Sequence, residues 1–149
     1  MTRINENQVA QGLAGVLADS YTLLIKTHNY HWNVEGPHFK ALHELFEEQY
    51  NDLFTAVDDV AERIRALGEK APGSHKEFTE LTALKDGDNG KDATAMVEDL
   101  VADNETLVSR AHKVSEDAAQ AGDKATEDLL IARMTTHQKA VWMMRSILR

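Results

Sequence analysis

The chain has 149 residues, 42% of them hydrophobic, and its 16 Lys and Arg against 25 Asp and Glu leave a formal charge of −9. That is the length of one domain with a sizeable core, and an acidic surface repels nucleic acid and anionic membrane while drawing in cations. The absence of cysteine excludes disulfides, thiol chemistry and thiolate metal sites. No apolar run nears the roughly 20 residues that span a bilayer, and the N-terminus lacks the apolar core of a signal peptide, so the cytoplasm is the default location.

Plentiful Ala, Leu, Glu and Lys, with only two prolines, favour helix over sheet. A first helix is expected over residues 5–34, where Val9, Leu13, Val16, Leu17, Leu23 and Leu24 recur at three- and four-residue spacing. His31 falls on the same stripe, so its ring should point inward near the end of that helix. Gly36 suits a left-handed exit and Pro37 the first position of a second helix, which starts at about Pro37 or His38, runs back antiparallel to Leu67 and stops at Gly68. Residues 69–89 form a long connection punctuated by Pro72, Gly73 and Gly87. A short helix over 75–84 is expected inside it, with Phe78, Leu81 and Leu84 covering one patch. A third long helix follows over 92–121. Gly122 ends it, and Asp123 caps a fourth over 124–148. The fold class is therefore all-α: a four-helix bundle, a single domain over 1–149, with a short helix in the long crossover between the second and third long helices.

Two pairs on the second helix, His43/Glu47 and Asp58/Glu62, are spaced i, i+4, which puts each pair on one helix face. They are 15 residues apart, or roughly 22 Å along the axis, too far to share one ion. They nevertheless lie on nearly the same face. The third and fourth helices carry no Glu-x-x-His element, so a di-metal centre inside one bundle is not available. Packing two copies of the second helix across a two-fold axis resolves the distance: the His43/Glu47 end of one chain meets the Asp58/Glu62 end of the other, with His31 joining the histidine end. Imidazole and carboxylate donors without sulfur suit iron, manganese or zinc.

Each residue also has a plain structural reading. An exposed acidic pair usually does nothing beyond solvation. His31 and His43 taken singly read as satisfied core histidines, Trp32 and Trp142 as core or interface aromatics, and Met134, Met143 and Met144 as core filler. His28, His38, His75, His112 and His137 receive no role from spacing. At this point metal binding and a bland surface both remain open.

Three elements of the sequence then become recognisable: His31-Trp32-Asn33-Val34, His43-Glu44 twelve residues on, and Asp58-Asp59-Val60-Ala61-Glu62-Arg63. Together with the ending Val141-Trp142-Met143-Met144-Arg145 they resemble the Dps family, the DNA-binding proteins from starved cells or mini-ferritins, over nearly the whole chain. The resemblance implies a ferritin-like bundle assembled as a hollow dodecamer, with a ferroxidase site shared across the two-fold interface. Such a protein oxidises Fe(II), preferably with hydrogen peroxide, and stores the ferric mineral. His31, His43 and Glu47 would come from one subunit and Asp58 and Glu62 from its partner, with Trp32 beside the site able to intercept radicals. The family usually has Asp where this chain has Glu47, one methylene longer. Asp123 and Asp128 resemble the acidic lining of the family's iron-entry pores, although Asp123 also reads as a helix cap. Many relatives bind DNA through a basic tail. Here only Arg3 precedes the first helix and the sequence stops at Arg149, so weak or absent DNA binding is expected. The rival functions are a DNA-coating nucleoid protein and a non-catalytic metal-binding oligomer.

Overall fold

The computed structural model describes residues 4–149; Arg3, which bears on the expected lack of a basic tail, lies outside them. Five helices follow one another: α1 (Glu6–Asn33), α2 (Phe39–Ala66), α3 (His75–Leu81), α4 (Ala93–Gln120) and α5 (Lys124–Ile147). The four long ones form a ferritin-like bundle, and α3 lies in the crossover. The α1–α2 and α4–α5 hairpins are the closest pairings, α1 joins them by packing on α4, and α2 meets α5 only sparingly.

Local chemistry explains the boundaries. Asn5 accepts a hydrogen bond from the Gln8 amide while the Gln8 side chain reaches back to the Asn5 amide, a reciprocal cap that satisfies two helix-end donors. Ser74 and Glu77 do the same for α3, and Asp92 caps α4 through the Ala95 amide. Gly36, Gly68 and Gly122 have φ of 112°, 94° and 77°, the left-handed exits that glycine adopts without a Cβ clash.

Two local expectations need correction. Pro37 does not begin α2. It sits in a turn closed by a hydrogen bond from the Phe39 amide to the Gly36 carbonyl, and His38 takes the N-cap position without a side-chain cap. The short helix ends at Leu81 rather than at 84, because the buried carboxylate of Asp19 draws the next residues out of helical geometry. Asp19 Oδ1 accepts from the Thr82 hydroxyl at 2.7 Å and from the Ala83 amide at 2.8 Å, and Thr82 is extended. Leu84 still reaches the core from this extended segment and Phe78 packs against its edge, stacked on Tyr21, but Leu81 is exposed.

The core is apolar, built from Leu13, Leu17, Phe46, Ile64, Leu100, Leu107, Leu130, Met144 and their neighbours, but it encloses charge. Lys26, 2% exposed, lies 2.5 Å from Asp103 and 3.1 Å from Asp99. The Tyr30 hydroxyl donates to Asp99 at 2.6 Å and accepts from the Asp88 amide. Arg110 crosses α1 to reach Asp19 at 2.9 Å. It passes directly over Gly15, where a Cβ would fall 2.1 Å from the guanidinium. The cation of each of these pairs compensates a carboxylate that burial alone would make costly. Trp32 and Trp142, for which a core place was one reading, are both 64% exposed.

Candidate metal centre

The end of α1 and the start of α2 bring His31 and His43 together. Their rings stack with centroids 3.8 Å apart and planes 12° from parallel. His31, 6% exposed, places Nδ1 2.7 Å from the His43 carbonyl oxygen, and His43 places its own Nδ1 2.6 Å from the His31 carbonyl. A carbonyl oxygen only accepts, so both Nδ1 atoms carry the proton and donate. Each imidazole is thereby set as the tautomer whose Nε2 lone pair is free. Orientation of a ring by a backbone carbonyl is the usual arrangement for a metal-bound histidine.

Glu47 lies one turn further along α2 and is exposed; the Tyr50 hydroxyl stands 3.5 Å from its Oε1. At the other end of α2, Asp58 and Glu62 are exposed neighbours. A hydrogen bond with Asp58 and the charge of that residue push the Glu62 carboxyl above its ordinary range. Two carboxylates that repel each other at close quarters are each favoured by a cation placed between them. Arg63, next in sequence, does not serve: it turns to α5, donating to Thr126 at 2.8 Å and to Asp123 at 3.1 Å.

Among the described residues, no three His, Asp or Glu side chains of one chain converge on a position for an ion. The bundle interior does not supply a centre either. Its carboxylates Asp19, Asp99 and Asp103 are engaged by Arg110, Lys26 and Tyr30. Its histidine, His137, donates from Nδ1 to Asn104 at 2.8 Å and receives Arg133 on Nε2 at 3.3 Å. The chain thus presents two separate groups: imidazoles fixed where α1 turns into α2, and the Asp58 and Glu62 carboxylates toward the far end of α2.

The residues read as pore-lining occupy the start of α5. The Asp123 carboxylate caps the helix through the Thr126 amide, accepts the Thr126 hydroxyl and pairs with Arg63. Burial opposes its ionisation, but these hydrogen bonds outweigh it and hold the carboxyl below its ordinary range. Asp128 is exposed.

Sequence reasoning passed over two residues beside the histidines. His28 packs on Trp32 with centroids 3.8 Å apart and on Tyr50 at 4.5 Å; burial, and then the repulsion it would meet from His31 were both rings protonated, lowers its pKa. Tyr50 meets the His31 ring edge-on at 5.2 Å. A signal for Tyr50 existed, since 43, 47 and 50 follow the i, i+4, i+7 rule of a single helix face. His28 had none beyond its position one turn before Trp32.

The model of the ferritin-like domain family matches residues 10–149. DNA protection during starvation protein 2 of Bacillus anthracis is 39% identical over 95% of this chain and 97% of its own length. The crystal structure of Dps from Staphylococcus aureus superposes with a TM-score of 0.95 at 36% identity, covering 99% of both chains. The structure of a Vibrio cholerae Dps protein, described as a member of a broad superfamily of ferritin-like diiron-carboxylate proteins, gives a TM-score of 0.92 at 29% identity over 97% of this chain and 91% of that one.

Proposed function

The chain belongs to the Dps branch of the ferritin-like family, and from that premise we propose that it is an iron-storing mini-ferritin that oxidises Fe(II) at a site shared by two subunits. His31, His43 and Glu47 of one subunit and Asp58 and Glu62 of its two-fold partner hold the ferrous substrate. The observation that carries this reading is the reciprocal lock of His31 and His43, which fixes two adjacent imidazoles with both Nε2 lone pairs free. The exposed Asp58–Glu62 pair supplies the charge that the imidazoles lack. The same donors accept zinc or manganese as alternative occupants.

Hydrogen peroxide is the oxidant in this reading. Two ferrous ions give one electron each, the O–O bond breaks, and two protons complete two waters, so no hydroxyl radical leaves the site. Exposed Trp32 stands beside it as a target for radicals that do form. Ferric product is stored inside a hollow dodecamer, with Asp123 and Asp128 near the route of entry. Twelve chains at −9 carry about −108 before metal is counted, which opposes DNA phosphate and favours storage over a DNA coat.

The sharing of the site is tested by mixing two inactive proteins. One carries His31→Ala and His43→Ala, the other Asp58→Asn and Glu62→Gln. In a mixed two-fold dimer one site has both halves damaged and the other has both intact. Random reassembly of equal amounts should therefore restore about a quarter of the wild-type rate of peroxide-dependent ferric formation. A mixture as inactive as its components would refute the shared site.

A further inference from the structure

We propose that Tyr50 is a positioning residue of this site, and that its hydroxyl orients the Glu47 carboxylate toward the ion held by His31 and His43. The proposal rests on the functional reading above and adds a residue to it.

Glu47, unlike His31 and His43, has no backbone partner that sets its direction. It is exposed on α2, and its side chain has three rotatable bonds. The Tyr50 hydroxyl, 3.5 Å from Oε1, is the neighbour that can fix it. That separation is long for a phenol donor. Hydrogen bonds that support a reacting centre are commonly long before the ligand arrives and shorten when it binds.

The tyrosine itself is held. Its ring stands at 74° to the His31 ring with centroids 5.2 Å apart, and at 36° to His28 with centroids 4.5 Å apart. His28 in turn rests on Trp32. Two side chains of α1, His28 and His31, therefore hold the ring, and Trp32 backs the first of them. The hydroxyl is preorganised where the carboxylate is not, so ordering Glu47 costs less when the ion binds. The length of Glu47 matters to this: a carboxylate drawn back by one methylene would sit further from the phenol.

Cobalt(II) binding to the assembled protein, read from its visible ligand-field absorption, tests the proposal without any oxidation step. Four proteins are compared: wild type, Tyr50→Phe, Glu47→Asp and the double variant. Tyr50→Phe keeps the ring and its packing, and should weaken cobalt binding about fivefold and alter the band shape. In the Glu47→Asp background the same change should cost less than about twofold, because the shorter carboxylate has already left the hydroxyl. Equal losses in the two backgrounds would make Tyr50 a packing residue and overturn the proposal, as would no loss with Glu47 present. A His31→Ala control separates the two levels of inference. If it leaves cobalt binding unchanged, the site has been misplaced and the Tyr50 assignment falls with it. If it abolishes binding while Tyr50→Phe does nothing, only the Tyr50 assignment falls.

Discussion

Acid should weaken this bundle through one buried histidine. His137 is buried between α4 and α5, with Nδ1 donating to Asn104 Oδ1 and Arg133, itself paired with Asp52, donating to Nε2. The Asn104 amide is fixed in turn by its donation to the Leu100 carbonyl. A second proton on Nε2 would have to face the Arg133 N–H. Burial first, and the guanidinium second, push the imidazole down from 6.5 to about 3. Above about pH 6.5 the ring is neutral in both folded and unfolded chains and contributes no pH dependence. Below that, the unfolded chain binds a proton that the folded chain excludes, and stability falls at about 1.4 kcal/mol per pH unit. Between pH 7.5 and 4.5 the loss is roughly 2 to 3 kcal/mol per chain. His137→Gln retains an amide donor and acceptor but does not titrate. Urea unfolding at one fixed protein concentration, since assembly also stabilises, should show the variant losing that much less than wild type over the interval. Equal losses in the two proteins would refute the assignment of this acid sensitivity to His137.

Four further outcomes can be measured. Lys26→Met removes the cation shared by Asp99 and Asp103 and should lower unfolding free energy by about 3 to 5 kcal/mol, measured by urea titration at neutral pH. At the start of α5, Asp123→Ala should lose about 1 to 2 kcal/mol of stability through the cap, whereas Asp128→Asn, at an exposed position, should leave the melting temperature unchanged and slow ferrous uptake if it lines the entry. A low-salt gel shift without divalent cation should show no tight DNA complex; a shifted band at nanomolar protein would contradict the charge argument.

Most of the architecture was legible because helix periodicity and helix ends are local properties. The apolar spacing of Leu13, Leu17 and Leu23, the glycines at 36, 68 and 122, and Asp123 as a cap place the long helices within two residues of where they fall. The shared face of His43 with Glu47, and of Asp58 with Glu62, was legible for the same reason, because i, i+4 spacing fixes it before any packing is known. The resemblance of His31-Trp32-Asn33 and Asp58 to Arg63 to the Dps family then agreed with the fold of its relatives.

What the sequence could not determine depends on which helices meet. Nothing local to Asp19 says that it will end α3 sixty residues later, or that Gly15 must be bare so that Arg110 can cross to it. Nothing local to Lys26 or Asp103 marks them as buried; that comes from α1 packing against α4, which shields both from water. His31 and His43 are twelve residues apart, and no helical rule relates them. The α1–α2 turn stacks their rings and lets each Nδ1–H donate to the other's carbonyl oxygen. The sequence by itself determined the helices and the faces on which the candidate residues lie, since hydrogen bonds four residues apart and side-chain periodicity suffice for both. Tertiary packing decided the tautomers, the buried ion pairs and the contact of His28 with Tyr50, since each requires atoms from different helices to be brought within a few ångströms.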